Sequence, residues 1–195
     1  MPFRFSTRPH KQFLWFLIRR DSRLSKSKQV GLDAGCADMS NRRFFQTDSY
    51  IGLDPDVELL KKGKSKYPEA KTINSKILDA PDISADFVQC IQVFVNADFN
   101  NKEAKETTKK LITMVRPGGV LLMNTGKQTI CYDDDIRNML EEYFDYVTLI
   151  KYGDWGMKNA PIIISLLIAS VMYLVPWTRT FGGHAKSYFK CIGKI

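Results

Sequence analysis

The sequence predicts an α/β fold built on a doubly wound, mainly parallel sheet. From Gln29 onward, short apolar runs alternate with helical stretches, the pattern of a sheet covered on both faces. The run Asp86-Phe87-Val88-Gln89-Cys90-Ile91-Gln92-Val93 is nearly continuous in apolar character, as a strand buried on both faces requires. Val30 to Asp54 reads as a strand, a small-residue turn opening a short helix, and a second strand closing on an acidic residue about twenty positions on. That arrangement holds a nucleoside at the carboxyl ends of two adjacent parallel strands.

The elements follow in order. Residues 1–28 form a leading helical segment, basic and apolar at once. Arg4, Arg8, Lys11, Arg19, Arg20, Arg23, Lys26 and Lys28 face only Asp21, and Phe13-Leu14-Trp15-Phe16-Leu17-Ile18 runs into Arg19-Arg20. Its plainest reading is a helix packed on the domain with its charges solvated. The alternatives are contact with an anionic membrane surface or with nucleic acid. The first strand is expected over Gln29–Asp33 and the second over Ser49–Asp54. Asp54-Pro55 suits a helix start, with the carboxylate capping free amides and proline at the first helical position. A helix is then expected from Asp56 to about Lys66, with Val57, Leu59 and Leu60 available for packing.

Lys71–Ile73 is a short third strand and Asp86–Val93 the fourth. Asn100 and Glu103 resemble a capping pair for a helix over Lys102–Val115. Pro117-Gly118-Gly119 turns the chain into a fifth strand, Val120–Asn124. A helix at about Asp133–Tyr143, a strand Tyr146–Tyr152 and a last strand Ala185–Ile192 complete the reading.

The whole chain, 195 residues and 44% apolar, fits one domain with one core. Cys36, Cys90, Cys131 and Cys191 are scattered without ligand spacing, which fits free thiols in a reducing compartment and no metal site. No export signal is recognisable at the N-terminus, and a cytoplasmic protein is expected. The formal net charge is +8, and most of it lies ahead of the first strand.

The chemistry is set by the turn Ala34-Gly35-Cys36-Ala37. A pyrophosphate-binding turn needs several glycines and a bare helix N-terminus aimed at an anion. This turn has one glycine, with the carboxylates Asp33 and Asp38 on either side. It suits a ligand carrying hydroxyls and positive charge. A nicotinamide-dependent oxidoreductase fits less well, for want of the glycines.

Four motifs then occur in order: Val30-Gly31-Leu32-Asp33-Ala34-Gly35-Cys36-Ala37, Tyr50-Ile51-Gly52-Leu53-Asp54, Ala85-Asp86-Phe87-Val88, and Val115-Arg116-Pro117-Gly118-Gly119-Val120-Leu121. Together they resemble the class I S-adenosylmethionine (SAM)-dependent methyltransferases, from about Gln29 to Gly126 and more loosely to the end. The resemblance implies a Rossmann-like, seven-stranded sheet with an antiparallel last strand, a methyltransferase domain over 29–195, and SAM as cofactor. It implies that Asp33, Ala34, Gly35 and Cys36 lie at the methionine part, and Asp54 and Pro55 at the ribose. Ser75, Lys76 and Ile77 would lie at the adenine, and Cys90, Ile91 and Gln92 near the reacting methyl. Departures from the family pattern are Ala37 and Met39 where relatives have further glycines, with Met39 expected to narrow the pocket. Lys76 stands where an acidic residue often contacts adenine, and Asn96 where a histidine is common.

Catalytic residues are not identified. His184 is a candidate general base on position alone, and a surface or packing role suits it better. An apolar segment, Pro161–Trp177, interrupts the domain within an insertion at about 153–184. In the resembling fold this connection lies beside the active-site mouth, so an apolar lid there suggests a small-molecule or lipid-linked acceptor. Peripheral docking at the inner face of a membrane is the companion reading. A buried helix or a homodimer interface is the competing one. About 17 residues is the short limit for spanning a bilayer, and the last strand must return to its own sheet. RNA methylation and a non-catalytic SAM-binding partner subunit remain as alternatives. Nucleic acid is the weaker partner, because Phe13, Trp15 and Phe16 form one apolar patch without interleaved charge.

Overall fold

The computed structural model describes residues 5–94, 101–126, 132–153, 155–157, 159–181, 183 and 186–195. Seven strands form one sheet in the order β3-β2-β1-β4-β5-β7-β6. They are β1 (Val30–Ala34), β2 (Ser49–Asp54), β3 (Lys71–Asn74), β4 (Ala85–Phe94), β5 (Val115–Thr125), β6 (Phe144–Tyr152) and β7 (Lys186–Lys194). The first five are parallel, and β7 runs antiparallel between β5 and β6. The chain winds outward from β1 through β2 to β3, then crosses back to β4 beside β1. The carboxyl ends of β1 and β4 therefore flank a reversal of strand order, where open α/β sheets have their ligand crevice.

Among the described residues five helices cover the sheet: α1 (Pro9–Asp21), α2 (Val57–Lys66), α3 (Asn101–Met114), α4 (Asp133–Glu141) and α5 (Ile162–Leu174). Helix α1 buries Phe13, Leu14, Leu17 and Ile18, one face at helical spacing. Each contributes about 1.5–3 kcal/mol through removal from water. With Ile168, Ala169 and Met172 of α5 they pack on Phe87, Leu122, Tyr152 and Tyr188 of the sheet. The opposite face carries Ala104, Leu111 and Ile112 of α3 and Ile136 and Leu140 of α4 against Leu32, Val88, Leu121 and Phe189.

Three sequence expectations need correction. The short helix between β1 and β2 does not form; among the residues from Gly35 to Asp48 the helical element is a single 3-10 turn, Arg42–Phe44. Gly35, Ala37 and Met39 take positive φ of 78°, 47° and 58°, and left-handed residues cannot propagate a right-handed helix. The cap of α2 is Asp56 and not Asp54: its Oδ1 accepts from the Glu58 and Leu59 amides at 2.9 and 3.0 Å. Asp54 is still in β2, and the helix starts two residues later than a proline at its first position requires. The Pro117-Gly118-Gly119 turn is absorbed into β5. Val115 pairs with Ala85, the register shifts, and regular pairing resumes at Val120 opposite Phe87. The Asn100 cap, Asn96, Cys131 and His184 lie outside the described residues.

Candidate functional site

The turn after β1 is fastened to β2 by its backbone. The Gly35 and Cys36 amides donate to the Leu53 carbonyl at 2.7 and 3.1 Å. Asp54, at the end of β2, then accepts the Ala37 amide on Oδ2 at 2.8 Å and the Asp56 amide on Oδ1 at 2.9 Å. One carboxylate thus fixes both the β1 turn and the approach to α2. Each oxygen keeps acceptor capacity beyond its single amide bond. Asp54 is mostly buried, at 8% exposure.

Asp33 lies fully buried one strand away, and its Oδ2 accepts the Tyr50 hydroxyl at 2.9 Å. Burial and then the Asp33 charge push the Tyr50 phenol far above its usual range, so it stays a proton donor. Gln89 sits beside Asp33 in register on β4. It is fully buried, and neither end of its amide finds a hydrogen-bond partner among the described residues. A buried amide without partners costs about 1–3 kcal/mol, which water or a polar ligand recovers. Tyr50 and Gln89 were not singled out by sequence reasoning. Their alternation with Asp54 and Ile91 along β2 and β4 was the available signal.

The other expected positions are partly gathered here. Asp54 O accepts from the Ser75 amide and from Asn74 Nδ2, both at 3.2 Å, which sets Ser75 beside the end of β2. Lys76 is exposed and Ile77 buried; Pro55 is exposed. The thiols of Cys36 and Cys90 are buried, and burial first, then Asp33, raises both well above the ordinary thiol range. They are protonated packing groups. Gln92 takes a φ of 66° in a bulge near the end of β4, and its amide donates to Asn124 Oδ1 at 2.6 Å. Asn124 is a further residue the sequence did not flag. It is fully buried on β5 and holds the end of β4 in shape. Left-handed backbone at Ala37, Met39 and Gln92 costs on the order of 1–3 kcal/mol each, a kind of strain that gathers at functional sites.

One departure from the family pattern and one turn carboxylate are placed by their contacts. Met39 is fully buried and packs between β2 and α2, where a Cβ on Gly52 or Gly63 would crowd it. It fills core space left by the missing helix and does not narrow the crevice. Asp38 turns to α2, where Lys66 approaches at 2.5 Å and Ser40 donates a second bond. Although partial burial works against ionisation, Lys66 and Ser40 hold the Asp38 carboxyl at about 2. Among the described residues, no group of three or more His, Cys, Asp or Glu converges to hold a metal.

A family model for a methyltransferase domain matches residues 32–123, from β1 into β5. The stretch from β1 into β5 is thus a methyltransferase domain of the SAM-dependent kind. No curated protein sequence matches it. Among solved structures it is similar to the N-methyltransferase NodS from Bradyrhizobium japonicum WM9 at 12% identity and TM-score 0.63, over 93% of this chain and 96% of that one. It is also similar to magnesium protoporphyrin IX methyltransferase (ChlM) from Synechocystis PCC 6803 with bound SAM, at 12% identity and TM-score 0.60, over 95% and 80%. The plantazolicin methyltransferase BamL, in complex with a triazolic desmethylPZN analog and S-adenosylhomocysteine, aligns at 13% identity and TM-score 0.60, over 95% and 84%. At these identities the likeness is one of fold.

The residues of this methyltransferase fit SAM, its cofactor. Gly35 has a φ of 78°, and a Cβ there would overlap the Val93 side chain, so any other residue is strained at this position. Asp54 has spare acceptors, and Asp33 and Gln89 add buried polarity beside them. Val93 packs over Gly35 and therefore borders the approach to the turn.

Helix α5 departs from the position expected of a lid. Its connection leaves and rejoins the sheet at the carboxyl edge, where Tyr152 pairs with Lys186. The helix itself packs along α1 on the sheet face. No helix among the described residues is long and apolar enough to cross a membrane.

Proposed function

We propose that this methyltransferase acts on a small-molecule acceptor of apolar or lipid-linked character, while peripherally docked on the inner face of a membrane. The observation that carries this reading is the outer face of α5. Ile163, Leu167 and Leu174 are 72%, 62% and 75% exposed, and Trp177 beyond the helix is 72% exposed. With Ile164 and Val171, also exposed, they line one side of the helix at i, i+4 and i+7 spacing. A contiguous exposed apolar stripe of this kind marks an interaction surface. An exposed tryptophan at its end suits the headgroup level of a bilayer.

In this reading Asp54 accepts the ribose hydroxyls, while Asp33, Ala34, Gly35 and Cys36 surround the methionine part. Pro55, Ser75, Lys76 and Ile77 flank the nucleoside, and Cys90, Ile91 and Gln92 border the reacting centre. When bound, SAM supplies an already activated methyl on a sulfonium. The protein has to align the acceptor and exclude water, and the buried carboxylates favour the positive cofactor over its neutral product. ChlM acts on a porphyrin, as its name states, and an acceptor of similar amphiphilic size suits this reading.

The test is transfer of radiolabelled methyl from SAM into organic-extractable products, with total membrane lipid extract or a polar small-molecule fraction as acceptor. Label in the lipid extract supports the proposal. Label confined to polar acceptors, with no sedimentation of the protein on membranes, would refute it.

A further inference from the structure

Beside the apolar stripe, a cavity of about 240 Å³ opens between the C-terminal end of α1 and α5, lined by Phe16, Arg19, Arg20, Arg23 and Tyr173. The cavity is held in shape from below. Arg20 donates through Nε and Nη2 to both oxygens of buried Asp21, at 2.7 and 2.6 Å, and the Tyr188 hydroxyl donates to the same carboxylate at 3.1 Å. This fixes the Arg20 guanidinium 5.9 Å over the Tyr173 ring and leaves its remaining N–H donors uncommitted to Asp21. Tyr173 meets Phe16 edge-on at 6.3 Å, closing the floor.

Three guanidinium groups, those of Arg19, Arg20 and Arg23, line the cavity. Asp21 is the single acidic residue before β1, already bonded to Arg20. Arg179 adds a fourth guanidinium behind Tyr173, donating to the Met172 and Tyr173 carbonyls at 2.9 and 3.4 Å. Burial and then the Arg20 charge depress its proton affinity. The helix dipole favours Arg19 and Arg20 in the last turn of α1. It gives no reason for Arg23, which lies past the helix end yet lines the same cavity. Arginine forks over an aromatic floor match phosphate oxygens in geometry as well as charge. Tyr173 lines the cavity while the next residue, Leu174, is among the most exposed of the stripe. The cavity therefore opens on the flank of α5, one helix position round from the stripe.

We infer that the α1–α5 cavity is a phosphate-recognition site for the headgroups of anionic phospholipids, engaged as the α5 stripe enters the bilayer surface. The inference deepens the membrane reading and rests on it.

The test is flotation of the whole protein with vesicles of phosphatidylcholine alone and of phosphatidylcholine mixed with phosphatidylglycerol. The native protein is expected to bind the anionic vesicles more tightly. The double variant Arg19→Gln, Arg23→Gln leaves Arg20–Asp21 intact. It should lose about twenty- to thirtyfold in partitioning to anionic vesicles, at about fivefold per arginine, and keep its binding to neutral ones. Arg19→Lys with Arg23→Lys should recover only part of the loss, since lysine restores charge without the fork. The double variant Lys61→Gln, Lys62→Gln, which removes equal charge from α2, should change little. SAM titration by calorimetry checks that every variant is folded.

Equal binding of native protein to both vesicle types would overturn the headgroup site while the membrane reading stands. So would an equal loss from the α2 variant. If no vesicle binds at all, the membrane reading itself fails. A native dimer that Leu167→Glu dissociates would assign the stripe to a second copy and overturn both.

Discussion

The carboxyl edge of β1 and β2 and the outer surface of α1 and α5 are built on opposite principles. At the sheet edge, main-chain amides do most of the organising. Asp54 gathers the Ala37 and Asp56 amides, and Gly35 and Cys36 reach the Leu53 carbonyl. Side chains there are small or, like Asp54, already tied to those amides. On α1 and α5 the backbone is ordinary helix, and the character comes wholly from side chains: exposed Ile163, Leu167 and Leu174 on one, Arg19 and Arg20 on the other, with Arg23 just past its end. A site made by backbone geometry tolerates few sequences and announces itself in a motif. A surface made by side chains can be rewritten residue by residue, which suits the part of an enzyme that selects its acceptor.

The sharpest way to break this contrast is at Gly35. Gly35→Ala faces left-handed backbone strain of about 1–2 kcal/mol and overpacking against Val93 of about 1–3 kcal/mol. We expect about 2–5 kcal/mol of destabilisation in denaturant unfolding, with loss of SAM binding. Gly118 has a similar φ of 70°, but a methyl added there would meet nothing within 4 Å, so Gly118→Ala should show the backbone part alone. Equal losses at the two positions would mean that the Val93 contact is immaterial.

Next comes Asp54→Ala. It removes an acceptor shared by two amides and, in the proposed site, by the ribose hydroxyls. Hydrogen bonds to a charged group contribute about 1.5–3 kcal/mol, so SAM affinity should fall by about ten- to a hundredfold in calorimetry. Vesicle binding should stay unchanged. Native SAM affinity in this variant would take Asp54 out of the ribose site.

On the other surface, Leu174→Ser with Trp177→Ser should leave stability within about 0.5 kcal/mol per site, because both side chains already face solvent. SAM affinity should hold, while flotation with neutral vesicles drops. If unfolding shifts and flotation does not, the stripe is a packing surface and the contrast between the regions collapses.

This division also explains what was legible in the sequence. The strands themselves and the places of Asp33, Gly35 and Asp54 at their ends follow from period, turn residues and spacing, which are local, whereas the antiparallel last strand was implied by the family resemblance and not by any local pattern. The missing helix between β1 and β2 was not legible, because Met39 reads as a helix former until its burial against Gly52 and Gly63 is known. Asp56 outcompeted Asp54 as the cap of α2 only because Asp54 is already bonded across to Ala37, a contact seventeen residues apart in sequence. Gln89 reads as one polar residue in an apolar strand, and nothing local says that Asp33 lies beside it. The α5 segment declared its apolarity but not its partner: packing on α1 splits it into a buried face and an exposed one.

The smallest effect tests the seam of the sheet-edge region, where Asp38 ties the β1 turn to α2. Its carboxyl is held at about 2, below the ordinary 3.8, by Lys66 and Ser40 against the opposing cost of partial burial. A depressed acid stabilises the fold fully above its unfolded value and loses that contribution as pH falls through its folded value. The stabilisation is therefore present above about pH 4 and disappears toward about pH 2. The pair is partly solvated, with the Lys66 side chain 42% exposed, so water screens it and the effect is modest. Asp38→Asn should flatten the unfolding midpoint between about pH 4 and pH 2 while SAM affinity at neutral pH changes little. A large loss of SAM affinity instead would place Asp38 at the cofactor, and the sheet edge would then depend on side-chain charge as the α1–α5 surface does.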